Sequence, residues 1–149
     1  MYPLANWIET EQGISVPTSE HAYQAAKFKQ PNIHRIIAGA RSRDENKTVY
    51  ADGVVSKELA SIFVEQGFIR PDFEIAKRGI MLAVVTMKFD RNPDLAEMLI
   101  ATDDEMIVEG NNWGDRYWGV DPIGSDNGEN HLGRILMKVR RDLQNNLVQ

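Results

Sequence analysis

Apolar and polar positions along the chain recur mostly with the period of an α-helix. Apolar residues spaced three and four apart mark several segments, and most of these segments begin at a residue that can cap a helix. Strict alternation, which is typical of a half-buried strand, is confined to short stretches. The pattern predicts an α+β fold, mostly helical, with a small sheet of short strands. The predicted helices cover residues 18–30, 32–40, 56–66, 72–89, 92–101 and 130–145.

The same pattern predicts further details of these elements. Short strands are expected at residues 2–8, 14–16 and 105–109, while residues 41–53 read as a polar connector or a weak helix. Because residues 80–87 are apolar nearly all round, they are expected to lie in the central core helix, with Ile75 also facing inward. The predicted caps are Thr18, Asn32, Ser56, Asp72 and Asn92, and Gly67 is the predicted stop of the third helix.

Composition narrows the class of protein. The chain has 149 residues, 42% of them hydrophobic, which predicts one soluble domain over residues 1–149. It has no cysteine and three histidines, so disulfides, thiolate nucleophiles and cysteine-ligated metals are excluded and a histidine-rich metal site is not expected. A formal net charge of −5 argues against broad nucleic-acid binding and leaves a local basic face open. Without a signal sequence or a long apolar run, the predicted location is the cytoplasm, with no membrane partner.

The first predicted helix carries a line of polar groups. At about 100° per residue, Glu20, Gln24 and Lys27 fall within about 60° of one another, with Tyr23 at the edge. A carboxylate in the first turn lies at the positive end of the helix dipole, which favours its ionised form. This face suits a reactive site, and it also fits an ordinary surface helix with an exposed glutamate and lysine. The opposite face has small residues that allow close packing: Ala22, Ala25 and Ala26.

Two later segments also carry candidate chemistry. Residues 110–119 combine glycines with Trp113, Asp115 and Trp118, and stacking on a tryptophan contributes roughly 1–3 kcal/mol per base. The structural alternative is a tryptophan over a sheet edge, with Asp115 in a turn. Residues 128–134 begin the last helix, where free N–H groups and the Arg134 fork suit a phosphate. A plain capped helix with a solvated Arg134 is the alternative there.

Four sequence blocks follow one another between residues 17 and 140. They are Pro17-Thr18-Ser19-Glu20-His21 with Gln24 and Lys27-Phe28, then Met87-Lys88-Phe89, then Asp115-Arg116-Tyr117-Trp118-Gly119, and last Gly128-Glu129-Asn130-His131-Leu132-Gly133-Arg134-Ile135-Leu136-Met137 with Arg140. In composition and order these blocks resemble the NADAR family, also called YbiA-like. Four ordered blocks make the resemblance more specific than any single block would.

The resemblance implies an α+β domain that hydrolyses the N-glycosidic bond between a ribose carbon and a nitrogen of a base or amine. Two substrate classes are associated with the family: guanine carrying ADP-ribose on its exocyclic nitrogen, in nucleic acid or nucleotide, and the phosphoribosylamino-pyrimidines of riboflavin synthesis. We expect the first as the substrate and keep the second as the alternative. A non-catalytic module that binds ADP-ribose or another nucleotide, and a purely structural domain, are the rival classes.

The resemblance also assigns roles to residues. Glu20 is expected to act as a general base on water or to stabilise an oxocarbenium-like centre, and Lys27 to attack the sugar C1 as a Schiff-base nucleophile. Lys27 can instead pair with Glu20 or bind a phosphate. Asp115 is the third catalytic candidate, orienting a ribose hydroxyl, and no metal or cofactor is expected. The predicted substrate-binding residues are Thr18, Ser19, His21, Tyr23, Gln24, Phe73, Trp113, Trp118, Asn130 and Arg134.

The chain departs from the family pattern at two places. Relatives usually have a longer N-terminal segment with a Ser-Asn-Phe-like motif, where this chain has Leu4-Ala5-Asn6-Trp7. Many members have Asp-Trp before the central helix, where this chain has Asp72-Phe73 and so lacks the indole donor. Both departures shift the expected substrate away from the riboflavin-type members.

Overall fold

The computed structural model describes residues 3–149, which divide into two compact units, the first ending at Asn92 and the second running from Pro93 to Gln149. A single domain over residues 1–149 stays a prediction. The described residues form six helices and two antiparallel two-stranded sheets, which confirms the predicted α+β class. The first unit contains β1 (Ile8–Glu9), β2 (Ser15–Val16), α1 (Ser19–Ala25), α2 (Pro31–Ala38), β3 (Arg41–Arg43), β4 (Val49–Ala51), α3 (Gly53–Glu65) and α4 (Phe73–Arg91), and the second contains α5 (Pro93–Ile100) and α6 (His131–Asn146).

The two sheets of the first unit are short. In the first sheet Ile8 pairs with Val16, and both side chains are buried. These strands are shorter than the predicted residues 2–8 and 14–16, and Met1 and Tyr2 lie outside the described residues. The second sheet, β3–β4, occupies residues that were predicted as a connector or weak helix, so that prediction is wrong. Its turn is closed by the Asp44 carboxylate, which accepts from the N–H groups of Asn46 and Thr48 at 2.9 and 2.8 Å.

The core of the first unit surrounds Phe28, whose side chain is fully buried. The Phe63 ring meets it edge-on, with 5.9 Å between the ring centroids. The chain leaves α1 at Ala25, earlier than predicted, because burying Phe28 requires the backbone to turn there. A hydrogen bond from Arg70 N to Lys27 O, 2.8 Å long, holds this turn. The buried residues of this cluster are Ala25, Phe28, Ile33, Ile37 and Ala60.

Three predicted helix caps differ from the structure. α2 begins at Pro31, and the Asn32 side chain accepts from the Arg35 guanidinium instead of capping the helix. α3 begins earlier than predicted because Asp52 accepts from the N–H of Val54 at 2.8 Å. Ser56 therefore lies inside that helix, where its hydroxyl donates to a backbone carbonyl. Asp72 precedes α4 but forms an ion pair with Arg70 instead of a side-chain cap.

Helix α4 is not a helix buried on all sides, contrary to the prediction for residues 80–87. Its buried residues are confined to one side, and Ile75, predicted to face inward, is 90% exposed. Asn92 after its end is fully buried, where its amide exchanges hydrogen bonds of 2.9 and 3.0 Å with the backbone of Asn6. The helix therefore closes one side of the first unit and ties the N-terminal segment to its end. The buried residues are Phe73, Val84, Val85 and Phe89.

In the second unit α5 and α6 flank a long connection, residues 101–130. The predicted strand at residues 105–109 is absent from it, and the pairing there is a single parallel bridge between Gly110 and Val120. The Arg140 guanidinium is buried on α6 and donates to Thr102 Oγ1 and Glu105 O at 2.8 Å each. Backbone hydrogen bonds from His131 N to Tyr117 O and from Leu132 N to Trp118 O, 3.1 and 3.0 Å long, also hold the connection to α6. The N–H groups that were expected to be free for a phosphate at the start of this helix are therefore used within the fold.

Among residues 3–149 no helix is both long enough and apolar enough to cross a membrane. The cytoplasmic location stays a prediction.

We predict that Thr18→Val destabilises the protein by about 2–4 kcal/mol in urea unfolding. The hydroxyl of Thr18 caps α1 by accepting from His21 N, and it is buried together with the His21 ring. Its loss removes a cap worth about 0.5–2 kcal/mol and leaves a buried ring nitrogen unpaired at about 1–3 kcal/mol.

The matched control is Thr48→Val, because Thr48 is exposed in the β3–β4 turn and its change should stay within about 0.5 kcal/mol. Equal unfolding free energies for the two variants would contradict the capping role of Thr18.

Candidate active site

A buried histidine fixes the start of α1. Thr18 and His21 are both 0% exposed, with 2.7 Å between Thr18 Oγ1 and His21 Nδ1. His21 Nε2 lies 3.1 Å from the carbonyl oxygen of Ala40, which can only accept, so Nε2 carries the proton. Burial is the main cause that lowers the pKa of His21, which keeps the ring neutral. Both residues were predicted to bind substrate, but their polar atoms are used inside the fold, and they act by positioning α1.

A second buried histidine fixes the chain just after α1. His34 of α2 is 0% exposed, with its Nε2 2.8 Å from Phe28 O and its Nδ1 2.9 Å from Thr10 Oγ1. As with His21, the carbonyl requires that Nε2 is the donor. The segment between Thr18 and Phe28 is therefore held at both ends by imidazoles.

Glu20 and Gln24 lie one helical turn apart on α1 and are joined by a hydrogen bond. Gln24 Nε2 donates to Glu20 Oε1 at 2.8 Å, and the Gln24 side chain is only 2% exposed. Since a carboxylate can only accept, the amide orientation is fixed and Gln24 Oε1 faces away from Glu20. Gln24 Oε1 has no hydrogen-bond partner among the described residues. Gln24 thus orients one carboxylate oxygen of Glu20 and leaves the other, Oε2, available.

Glu20 lies on the wall of a cavity of about 230 Å³. Gly53, the first residue of α3, approaches so closely that a β-carbon at this position would lie 3.1 Å from Glu20 Cβ and Cγ. The bare backbone of Gly53 therefore lets α3 pack against the stem of Glu20 and restricts the position of its carboxylate. The remaining lining comes from β4 and the first turns of α3: Tyr50, Ala51, Asp52, Val54 and Lys57.

Lys27 lies in the turn after α1 and not on the helix itself. Its Nζ is 5.9 Å from the ring centroid of Tyr23 and 5.8 Å from that of Phe73, at the outer limit of a cation–π contact. Burial is the largest cause that lowers the pKa of Lys27 below its ordinary 10.5; Glu20 opposes this shift and Lys57 adds to it. A lowered pKa increases the fraction of neutral amine, which is the form that can act as a nucleophile.

In the second unit, Asn111 organises the aromatic loop. Its side chain is 1% exposed, donates to the carbonyl groups of Asp115 and Val120, and accepts from Asp115 N at 3.0 Å. Asp115 Oδ1 in turn accepts from the N–H groups of Tyr117 and Trp118 at 3.1 and 2.9 Å. One oxygen of this predicted catalytic carboxylate is thus committed to the turn.

The tryptophans of this loop differ in their surroundings. Trp118 is half-buried and packs edge-on against Tyr117, with 4.8 Å between the ring centroids, and Tyr117 also contacts His131. Trp113 is 74% exposed.

Glu109, which was not among the predicted site residues, lies in the same unit. Its pKa is raised mainly by burial and also by the neighbouring Asp115 carboxylate.

The start of α6 is built around Asn130, which adopts a left-handed conformation with φ of 50°. Its side chain accepts from Glu109 N and donates to Ile107 O, both at 2.9 Å, and makes no capping hydrogen bond to the helix. The same bonds occupy the side-chain atoms that were predicted to bind substrate. Arg134 is exposed and forms no ion pair with any residue from 3 to 149.

Comparison with known proteins places this geometry in a family. The family model described as NADAR domain matches residues 2–144. The chain belongs to the NADAR family. This agrees with the family that the four sequence blocks resemble.

Related sequences and one solved structure illustrate the match. The chain is 35% identical over 131 residues to N-glycosidase Npun_R5314 of Nostoc punctiforme, with 86% of this chain and 74% of that protein covered. It is 34% identical to the riboflavin biosynthesis protein VVA0006 of Vibrio vulnificus, over 94% of this chain but only 35% of that protein. The solution NMR structure of Escherichia coli YbiA superposes with a TM-score of 0.73 at 27% identity, covering 97% of this chain and 77% of that one. The YbiA sequence is named N-glycosidase and is 29% identical.

The predicted site residues fall into two groups in this NADAR chain. In the first unit, Glu20, Gln24 and Lys27 lie along and just after α1, with Tyr23 and Phe73 packed beside Lys27. Ser19, half-buried, begins the same helix. In the second unit, the predicted residues lie in the aromatic loop and at the start of α6. These are Asp115, Trp113, Trp118, Asn130 and Arg134.

The wall of the cavity beside Glu20 was not predicted from the sequence. Tyr50, Asp52 and Lys57 belong to the hairpin and to the start of α3, and these segments were predicted as a connector and a later helix start. The pair Asp52-Gly53 was an available signal, since aspartate is a strong cap and a helix can begin directly after it. No periodicity indicated that this cap would face Glu20.

We predict that Lys27→Met raises the free energy of unfolding at neutral pH and that this gain disappears as the pH rises to 10.5. The folded protein binds the Lys27 proton more weakly than the unfolded chain, so the charged form destabilises the fold at every pH below the lowered pKa. The penalty declines between the lowered pKa, where the folded state loses the proton, and 10.5, where the unfolded chain loses it, because both states are neutral at higher pH.

Urea unfolding at pH 7 and pH 10.5 measures this difference. Lys29→Met, an exposed neighbour of Lys27, is the matched control and should show no pH-dependent gain. A lower unfolding free energy for Lys27→Met at pH 7 would show that the ammonium stabilises the fold.

Proposed function

We propose that this protein removes ADP-ribose from guanine by hydrolysing the bond between the ribose C1 and the exocyclic nitrogen of the base. The observation that carries the proposal is the position of Glu20 on the wall of a cavity, with one oxygen oriented by Gln24 and Lys27 on the same segment. Both ADP-ribosylated nucleic acid and a free nucleotide present this bond.

The general activity follows from the family. The chain belongs to the NADAR family, and its relatives from Nostoc punctiforme and Escherichia coli are named N-glycosidases. The protein is accordingly a hydrolase of N-glycosyl bonds. The substrate of such an enzyme is a small molecule or nucleotide-like group with a nitrogen on a sugar carbon, and the choice of guanine is the finer part of the proposal.

Glu20 is suited to direct the water. Oε2 is not engaged by any of residues 3–149, so it can accept a proton from a water molecule that attacks C1. As the new C–O bond forms, the electron pair of the C1–N bond moves to the leaving nitrogen, which takes up a proton. The same carboxylate can stabilise positive charge that develops at C1 before attack.

Lys27 offers a covalent route. The neutral Nζ can bond to C1 while the electron pair of the C1–N bond leaves with the base nitrogen, which takes up the proton that Nζ loses. Opening of the ribose ring then gives an imine, as the ring oxygen takes the second Nζ proton and becomes a hydroxyl. Water hydrolyses this imine, which restores the lysine and releases the sugar aldehyde. Burial favours this route because it lowers the pKa of the attacking amine. In the other route Lys27 only balances the charge of Glu20.

The size of the cavity limits what it can hold. At about 230 Å³ it is smaller than the roughly 300–1,000 Å³ of pockets for drug-sized ligands, so we assign to it the ribose and the scissile bond. The remaining groups of ADP-ribose and the base must then lie outside it. Stacking of the base on Trp118 or Trp113 and contact of a phosphate with Arg134 stay predictions.

We predict that pure protein releases ADP-ribose from an oligonucleotide carrying ADP-ribosylated guanine and that Glu20→Gln lowers this rate by about 10²–10⁴-fold. The substitution keeps the size of the side chain and an oxygen acceptor for Gln24, and it removes the base, whose contribution is typically of that size. Chromatography with mass detection of free ADP-ribose measures the rate.

Glu58→Gln, on the exposed face of α3, is the matched control and should keep the wild-type rate. Binding of ADP-ribose to both variants by calorimetry separates an enzyme from a non-catalytic module. Intact substrate at high protein concentration, together with tight ADP-ribose binding, would favour the module.

The second candidate substrate is a phosphoribosylamino-pyrimidine. The observation in its favour is the 34% identity, across 94% of this chain, to a protein named riboflavin biosynthesis protein. The same assay is therefore run with this compound and detection of ribose 5-phosphate. A higher kcat/KM than for the guanine substrate would reverse the order of the two candidates.

Borohydride added during turnover is expected to leave a stable sugar adduct on Lys27, because it reduces an imine to a secondary amine. Peptide mass spectrometry locates the adduct, which should be absent in Lys27→Met and retained in the exposed control Lys29→Met. Turnover at the full rate without any adduct would contradict the covalent route and leave direct attack by water.

A further inference from the structure

The cavity beside Glu20 has one cationic side chain in its lining, that of Lys57. Lys57 lies one helical turn after Gly53 on α3, and Gly53 is the residue that packs against the stem of Glu20. The ammonium is thus carried by the same helix turn that restricts the Glu20 carboxylate. Lys57 and Glu20 approach one cavity from two different helices, α3 and α1.

No carboxylate of the described residues pairs with Lys57, so a structural ion pair does not account for its charge. It forms no ion pair with residues 3–149, whereas Lys77 and Lys138 are paired with carboxylates. The second carboxylate of the cavity, Asp52, is already used because it accepts from the Ser42 side chain and from the N–H groups of Val54 and Val55. The charge of Lys57 is therefore available to a ligand in the cavity.

Two ammonium groups lie around Glu20. Lys57 is near enough to Lys27 to lower its pKa, and the other acid that acts on Lys27, Glu74, is itself bonded to Lys77 at 2.7 Å. Like charges held near one another favour the binding of an anion between or beside them. Lys27 and Lys57 offset the charges of Glu20 and Asp52 around this cavity, and Lys57 supplies the positive charge in the lining itself.

Both candidate substrates carry a phosphoryl group on the same ribose whose C1–N bond is cleaved. The ribose that is cleaved at C1 bears a phosphoryl group on C5, either as part of a diphosphate in ADP-ribose or as a monoester in a phosphoribosylamine. With C1 at Glu20, the phosphoryl group lies on the other side of the same sugar ring. Lysine is a common point-charge partner for phosphate.

We propose that Lys57 binds the 5-phosphoryl group of the ribose whose C1–N bond is hydrolysed at Glu20. This inference rests on the proposed function and adds a binding residue that the four family blocks do not include. Tyr50 is part of the same lining and limits the space available to the sugar. Lys57 sets the preference of the enzyme for a phosphorylated ribose, and Glu20 performs the chemistry.

The experiment uses three forms of one substrate with different phosphorylation. ADP-ribosylated guanosine is trimmed with a pyrophosphatase to the phosphoribosyl form and then with a phosphatase to the unphosphorylated riboside. A phosphoribosylamino-pyrimidine and its dephosphorylated form make a second pair. Release of the base from each compound gives kcat/KM.

For the wild-type protein we expect loss of the phosphoryl group to reduce kcat/KM by about tenfold to a hundredfold, the strength of one charge-assisted hydrogen bond. Lys57→Met should remove most of this preference while leaving the rate on the unphosphorylated riboside within about threefold. Lys57→Arg should restore it, and Lys29→Met, the exposed control, should leave it unchanged. Faster cleavage of the diphosphate than of the monoester points to ADP-ribose as the source, and faster cleavage of the monoester points to a phosphoribosyl substrate.

Two results would overturn the inference. One is a wild-type protein without preference for phosphate, and the other is a Lys57→Met variant that loses the same factor on phosphorylated and unphosphorylated compounds, since Lys57 would then act only through Lys27. If no compound is cleaved, the proposed function is wrong, and calorimetry with ribose 5-phosphate and ribose still decides the role of Lys57. Tighter binding of ribose 5-phosphate that Lys57→Met weakens at least tenfold supports the site, and equal or absent binding rejects it.

Discussion

Two buried imidazoles hold the segment on which the candidate site depends. His21 joins the cap of α1 to Ala40, and His34 joins the end of the segment at Phe28 to Thr10. Each ring donates to a carbonyl and pairs with a threonine hydroxyl, so every polar atom of the two rings is satisfied in the interior. Because both ends are fixed, Glu20 and Lys27 have little freedom to move relative to the core.

Gln24 is buried on the same segment although one of its polar atoms lacks a partner among the described residues. Its amide donor orients Glu20, but its carbonyl oxygen lacks a partner among the described residues, at a cost of about 1–3 kcal/mol for a buried group. An apolar residue would avoid this cost and would release the carboxylate. Burial of Lys27 also costs stability, since it disfavours the charged form of the amine and so lowers its pKa. Gln24 and Lys27 therefore lower the stability of the fold and at the same time define the arrangement of polar groups around Glu20.

The fold could be predicted where local chemistry is decisive. The Thr18 cap, the stop at Gly67, the proline start of α5 and the last helix follow from side chains that act on their own backbone. The hairpin at residues 41–51 and the early end of α1 could not be predicted in this way. Both depend on distant partners: α1 ends because Phe28 is buried under α2 and α3, and β3 exists because β4 pairs with it.

The candidate site also has some features that follow from local sequence and others that depend on tertiary packing. The sequence by itself determined that Glu20 and Gln24 share a face of α1, because the angle between them follows from helix geometry, and four ordered blocks identified the family. It did not show that Lys27 lies beyond the end of this helix. Only the tertiary structure decided that Thr18 and His21 are buried supports, that Lys27 is partly desolvated, and that Lys57 faces the cavity of Glu20. Burial and proximity depend on how α3 packs against α1, and residues far apart in the chain carry no local signal of that contact.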